Sequence, residues 1–211
     1  MGDKMNYNYI LWDWNGTLMD DVGLALDAVN AMLAQKEKAP IDLEAYRLAM
    51  GTPILRFYEH FFDMQSVSMD WISEQFNTYY RLHQSEYGLH AGARTVLEQY
   101  KKTGCHQIIL SSSHTDGIRR SLKMYQLEPY FESVLGADNL LAESKVQRAV
   151  DFFKSQSVSP QDVVLIGDTV HDWEVAEAIG IDCILLTAGH QDRASLQQTG
   201  SRLIDHLTDL I

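Results

Sequence analysis

At 211 residues the chain can bury a substantial core, as one domain or as one domain carrying an insert. Its hydrophobic share of 45% and charged share of 22% are ordinary for a globular protein. The formal net charge of -12 repels a polyphosphate backbone and argues against a nucleic-acid partner, yet it suits a divalent cation drawn to clustered carboxylates. No stretch approaches the roughly 20 unbroken apolar residues of a membrane helix, so no membrane partner is expected. Met1 to Asn6 lead into the first apolar run without a signal-peptide pattern, and a cytoplasmic location is the default expectation. Cys105 and Cys183 lie in or beside apolar runs and form no metal-ligand spacing, which reads as two buried thiols.

The first element is the run Tyr9 to Trp12, which ends abruptly at Asp13 and reads as a buried strand. Asn15-Gly16 is either a simple hairpin corner or a tight turn that brings backbone N–H groups toward an anion. From Asp21 the pattern becomes helical: Val22, Ala25, Leu26, Val29, Met32 and Leu33 recur at steps of three and four. Further helices are expected from Asp42, from Thr52-Pro53 with the threonine as cap, and from about Asp70 to Tyr87 with Gly88 as the stop. Residues 21–87 thus read as all helix, with Phe57, Tyr58, Phe61, Phe62, Trp71 and Phe76 as the core of a small bundle. After Gly88 strands and helices alternate. Strands are expected at His106 to Ser111, Ser133 to Leu135, Val163 to Gly167 and Cys183 to Leu186, and helices at Gly92 to Lys102, around Ile118, at Lys145 to Gln156 and up to Gly180. Alternation of this kind implies right-handed crossovers, hence an α/β fold with a Rossmann-like parallel sheet flanked by helices.

In a parallel sheet the carboxyl ends of the strands share one edge, where ligands bind. Here those ends carry Asp13, Ser111-Ser112-Ser113 and Gly167-Asp168-Thr169-Val170-His171-Asp172, and Lys145 opens the helix before the last of them. Taken singly, the serines could cap a helix, Lys145 could be a surface lysine and Asp168 could cap a turn. Together they bring a nucleophilic carboxylate, a hydroxyl, an ammonium and a carboxylate pair into one crevice, which is equipment for phosphoryl transfer.

These residues resemble the motifs of the haloacid dehalogenase-like hydrolases. The DxDGT motif reads Asp13-Trp14-Asn15-Gly16-Thr17, the strand-ending hydroxyl is Ser111, the lysine is Lys145 in Glu143-Ser144-Lys145, and GDxxxD is met by Gly167, Asp168 and Asp172. Within the family the chain looks most like the phosphoglycolate phosphatase branch. The resemblance implies a core of residues 1–20 and 88–211 and an inserted all-helical cap of residues 21–87. It also implies a Mg2+ cofactor and a small phosphorylated metabolite as substrate, with the protein a monomer or homodimer. Asp13 would be nucleophile and metal ligand, Asn15 a ligand through its carbonyl, and Asp168 a third ligand, with Asp172 holding a metal-bound water. Ser111 and Lys145 would bind the phosphoryl group, with Ser112, Gly16 and Thr17 beside them, and the cap would close over the site.

One position departs from the family pattern. Where most of its phosphatases have an aspartate that protonates the leaving oxygen and later activates water, this chain has Asn15, whose carboxamide exchanges no proton. Loss of such help typically removes about 10²–10⁴ in rate. A slow phosphatase, or one fond of activated phosphates, is therefore weighed against a protein that captures a phosphorylated ligand without turning it over. Arg56 is a candidate anion contact in the cap, and His171 and His190 show no metal-ligand spacing.

Overall fold

The computed structural model describes residues 7–137, 145–156 and 158–211. The apolar run that opens the chain forms β1 (Tyr9–Trp12), followed by the short β2 (Met19–Asp20). A helical block comes next: α1 (Val22–Gln35), α2 (Leu43–Ala49), α3 (Ile54–Glu59) and α4 (Met69–His83). The chain then runs through β3 (Gly88–Leu89), α5 (Ala93–Lys102), β4 (His106–His114), α6 (Thr115–Met124), β5 (Ser133–Ala137) and α7 (Lys145–Gln156). It closes with β6 (Val163–Gly167), α8 (Val170–Ile179), β7 (Asp182–Leu186), α9 (Arg193–Gln197) and β8 (Arg202–Ile204). Among the described residues no helix is long and apolar enough to cross a membrane.

Six strands form a parallel sheet in the order β5-β4-β1-β6-β7-β8, so the fold is the α/β architecture expected. β1 lies in the middle because it is apolar along its length: Ile10, Leu11 and Trp12 are all buried, as a central strand covered on both faces requires. Trp12 is in register with Ile109 of β4 and Ile166 of β6. Asp13, Ser111 and Asp168 follow these positions by one or two residues, and so reach the same edge. The Trp12 indole N–H donates to buried Gln107, whose amide in turn donates to the Leu97 carbonyl, so the polar atoms beneath β1 are paired.

The helical block has its own core, with Phe57, Tyr58, Phe62, Val67 and Ile72 buried against α1 and with Phe61, Trp71 and Phe76 packed around them. The bundle reading of these aromatics therefore holds. Helix ends differ in detail from the sequence expectation. Asp42 caps α2 by accepting from Ala45 N–H, but Pro53 rather than Thr52 takes the N-cap position of α3, with extended backbone (φ -70, ψ 153). α4 stops at His83 and a short 3-10 turn follows, so Gly88 is no helix stop: it pairs with Asp20 in the two-stranded β2–β3 ribbon. That ribbon frames the entry and exit of the helical block, and strands of two residues leave no periodicity to read. Cys105 and Cys183 are free and only partly buried, and burial raises both thiols above their usual pKa.

Because the block and the sheet carry separate cores, a cavity in one should act locally. Phe57 touches Tyr46, Tyr58 and Phe61 edge-on and is 1% exposed. Phe57→Ala should lower unfolding free energy by about 3–5 kcal/mol. Hydrogen exchange should accelerate in α1 to α4 while the amides of β1 and β6 keep their protection.

Candidate active site

Three buried carboxylates meet at the strand edge. One oxygen from each of Asp13, Asp168 and Asp172 lies within 4.8 Å of the others, an arrangement able to hold a metal ion. The backbone fixes their places. Asp13 follows β1 directly, and its N–H donates to the Ile166 carbonyl. Asp168 follows β6, and Asp172 sits in the first turn of α8. There its Oδ2 accepts from the N–H groups of Asp168 and Thr169 and from the Thr169 hydroxyl. Lys145, 4% exposed at the start of α7, donates to Asp13 Oδ1 at 2.6 Å and to Asp172 Oδ1 at 2.5 Å. Glu143 and Ser144, which precede it in the motif, lie outside the described residues.

One ammonium against three carboxylates leaves excess negative charge in a desolvated place. Burial still favours a neutral lysine, but Asp13 and Asp172 outweigh it and hold Lys145 protonated well above its usual pKa. Burial also raises Asp13; Lys145 opposes it, but Asp172 and Asp168 add to the rise. Asp172 ends below the usual carboxylate range, because Lys145 and Thr169 overcome its burial. A divalent cation relieves exactly the charge left on Asp13 and Asp168, and hard oxygen donors are the ligands magnesium takes. Both oxygens of Asp172 are already engaged, which suits it to an outer position.

Two glycines leave room for Asp168. Gly16 has φ +73, and a Cβ there would sit 2.2 Å from Asp168 Oδ2; a Cβ on Gly189 would sit 2.2 Å from Asp168 Cβ. The Thr17 hydroxyl donates to Asp168 Oδ1 at 2.9 Å, and the His190 N–H to Oδ2 at 2.7 Å. The Gly16 N–H donates to Asp21 Oδ1 at 2.7 Å, so both Gly16 and Thr17 direct their donors to carboxylates. Ser111 is 2% exposed, and its hydroxyl accepts from Ser113 N–H. Among the described residues His114, not one of the serines, caps α6. Ser112 is exposed on the cavity wall.

Asn15 is held at both ends of its amide. Its Nδ2 donates to Asp21 Oδ2 at 2.6 Å and to the Tyr80 hydroxyl at 3.0 Å, while Oδ1 accepts from the Ser113 hydroxyl at 2.5 Å. Asp21, 1% exposed, also accepts from the Tyr80 hydroxyl and lies 3.4 Å from His190 Nε2. Burial works against its charge, yet His190, Asn15 and Tyr80 hold it below the usual carboxylate range. His190 is the counterpart: burial disfavours its charge, but Asp21, Asp168 and Asp13 raise its pKa to about 9. Its Nδ1 lies 2.9 Å from the Tyr46 hydroxyl.

Tyr46 and Tyr80 belong to the helical block, and Arg47 joins them by donating to the carbonyls of Ala188 and Gly189. Between block and sheet lies a cavity of about 1050 Å3. Asp13, Asn15, Ser111, Ser112, Lys145, Asp168 and Asp172 all line it. Arg56 is exposed on α3 and lines no part of it; Arg81 and Arg120 are the arginines at the cavity wall. Asp21 lies close to Asn15 in sequence, but its pairing with His190, and the parts of Tyr46 and Tyr80, come from contacts between segments far apart in the chain.

A haloacid dehalogenase-like hydrolase family model matches residues 10–186. The chain belongs to the haloacid dehalogenase-like hydrolases. Among relatives of this hydrolase, the phosphoglycolate phosphatase of Pseudomonas fluorescens is 28% identical, covering 96% of this chain and 78% of that protein. Phosphoglycolate phosphatase 1 of Pseudomonas aeruginosa is 25% identical with the same coverage. The crystal structure of a predicted phosphatase from Clostridium acetobutylicum superposes with a TM-score of 0.81 at 22% identity, covering 98% of this chain and 97% of that one.

Asn15→Asp would set two carboxylates against each other at 2.6 Å. The new group would have its pKa raised in the folded state, so stability should fall as pH rises through the unfolded value of about 4. Urea unfolding should show a loss of about 3 kcal/mol at pH 8 that shrinks toward pH 4, and Asp21→Asn added to it should recover most of that loss. His190 works the other way. With its folded pKa raised to about 9, its contribution is complete below about 6.5 and vanishes as pH passes through 9. In chelator, the stability gap between native protein and His190→Gln should be on the order of 3 kcal/mol near pH 6.5 and close by pH 10.

Proposed function

We propose that the chain is a magnesium-dependent phosphatase that hydrolyses a small phosphorylated metabolite through an aspartyl phosphate on Asp13. The convergence of buried Asp13, Asp168 and Asp172 with Lys145 at one sheet edge carries this reading. The phosphatase names of its relatives support the same substrate class. The organisation that fits is a core of residues 1–20 and 88–211 with residues 21–87 as a cap.

Lys145 occupies Asp13 Oδ1 and holds the carboxylate in one orientation, which leaves Oδ2 to attack phosphorus as the bond to the leaving oxygen breaks. Ser111 and Lys145 steady the transferring phosphoryl group, with Ser112 at the rim. Gly16 and Thr17 serve the site through Asp21 and Asp168. Magnesium, when held by Asp13, Asp168 and the Asn15 carbonyl with Asp172 behind them, supplies positive charge to the phosphoryl oxygens. Water then cleaves the acyl phosphate at phosphorus and restores Asp13. The cap encloses the reacting groups and excludes bulk water.

Asn15 favours a second reading, capture of a phosphorylated ligand without turnover, since its amide is fixed by Ser113, Asp21 and Tyr80 and exchanges no proton. Phosphate release from acetyl phosphate separates the two. Release that requires magnesium, stops with chelator and disappears in Asp13→Asn is expected. Stable binding of acetyl phosphate without release from the native protein would establish the capture reading instead.

A further inference from the structure

Resting on the phosphatase reading, we infer that the substrate is a small aryl phosphate, whose phenolic oxygen departs without a proton from the protein and whose ring lies in the apolar part of the cavity. Two independent features point there. The first is the state of the donors beside Asn15. The Asn15 amide is tied to Ser113, Asp21 and Tyr80; the Tyr80 hydroxyl is tied to Asp21; His190 has Tyr46 on one ring nitrogen and Asp21 by the other. Each of these groups already has a protein partner, and the one at position 15 itself carries no exchangeable acid proton. An alkoxide resembles hydroxide, the conjugate base of the very weak acid water, whereas a phenolate comes from an acid of pKa about 10. The second is far easier to expel unaided.

The other feature is the room beyond the reacting groups. About 1050 Å3 is the upper end of what drug-sized ligands occupy, and a two-carbon phosphorylated acid would leave most of it to water. Its wall includes Met50, Pro53, Ile54, Phe76, Tyr80 and Ile118. Phe76 and Tyr80, one turn apart on α4, stack with centroids 5.9 Å apart and planes 26° from parallel, which makes a flat aromatic face. Ile54, 46% exposed, adds an apolar side chain to the cavity wall. An aromatic ring fits such a face by offset stacking. The cap is tied to the core by Tyr46, Arg47 and Tyr80, so the cavity lies between two fixed walls with room for a free aryl phosphate beside the reacting groups.

In the reaction, Asp13 Oδ2 forms a bond to phosphorus while the phosphorus–phenolic oxygen bond breaks. The phenolate leaves with the electron pair and takes its proton from solvent. Water then attacks the phosphorus of the aspartyl phosphate, giving inorganic phosphate and releasing one proton to solvent.

The full-length protein with magnesium would be given 4-nitrophenyl, phenyl and 4-methylphenyl phosphate, glycerol phosphate and phosphoglycolate as alkyl esters, acetyl phosphate, and a phosphotyrosyl peptide. Expected are kcat/KM values for the aryl esters about 100-fold or more above the alkyl esters, with kcat falling as the phenol becomes less acidic. Phe76→Leu and the surface variant Ile54→Ser should each lower the ratio of phenyl phosphate to acetyl phosphate kcat/KM by about 3- to 10-fold, mainly through KM. Hydrolysis of acetyl phosphate with aryl esters no better than alkyl esters would overturn the aryl assignment and leave the phosphatase reading standing. Faster turnover of the peptide than of free phenyl phosphate would overturn it in favour of a protein substrate. If acetyl phosphate and every ester were inert and Asp13 were never phosphorylated, both readings would fall together.

Discussion

The arrangement depends on one electrostatic constraint: three carboxylates buried within 4.8 Å of one another share a single ammonium. Like charges this close in a desolvated place are tolerated only if the surroundings hold each one in position. The chain meets that demand largely with backbone. The first turn of α8 wraps Asp172 in N–H groups, Thr17 and the His190 N–H grip Asp168, and the absence of side chains at Gly16 and Gly189 lets the walls close around it. A parallel sheet is suited to this, because the adjacent strands β1 and β6 bring Asp13 and Asp168 to one edge and α8, starting directly after β6, brings Asp172.

A second charged assembly, Asp21 with His190, stands beside the first and points the other way, toward the cap. Tyr80 and Tyr46 bring their hydroxyls to it from two different helices. Asn15 lies between the two assemblies and must be neutral for them to coexist: an anion at that place would face Asp21 directly. The amide at position 15 is thus matched to its neighbours and is not an isolated loss.

Most of the fold could be read from the order of apolar runs. β1 and β6 are apolar along their length and β7 is apolar from Cys183 onward, each flanked by turn residues, and α5 and α6 carry clear periodicity. The carboxylates and Lys145 were legible for the same reason, since each sits next to a recognisable strand end or helix start. The pairing of Asp21 with His190 was not. Asp21 resembles any acidic residue before a helix, and His190 is one histidine among eight in the chain. Their meaning arises from a contact between residues 169 positions apart and from the closure of the helical block upon the sheet. The β2–β3 ribbon escaped because two residues show no alternation, and the α3 start lies one residue later than expected because Pro53, with φ suited to a helix, has the extended ψ of a cap.

Arg47 reaches from α2 to the carbonyls of Ala188 and Gly189, and touches only main chain there. A clasp of this kind is blind to side-chain identity in the loop it grips. At residue 188 the clasp places no demand on the side chain, because the atoms it holds belong to every amino acid, and what limits that position is the core against which Ala188 packs. Residue 189 is limited differently, for any side chain would strike Asp168. Adjacent positions in one short loop therefore live under different rules, one set by packing and the other confined to glycine.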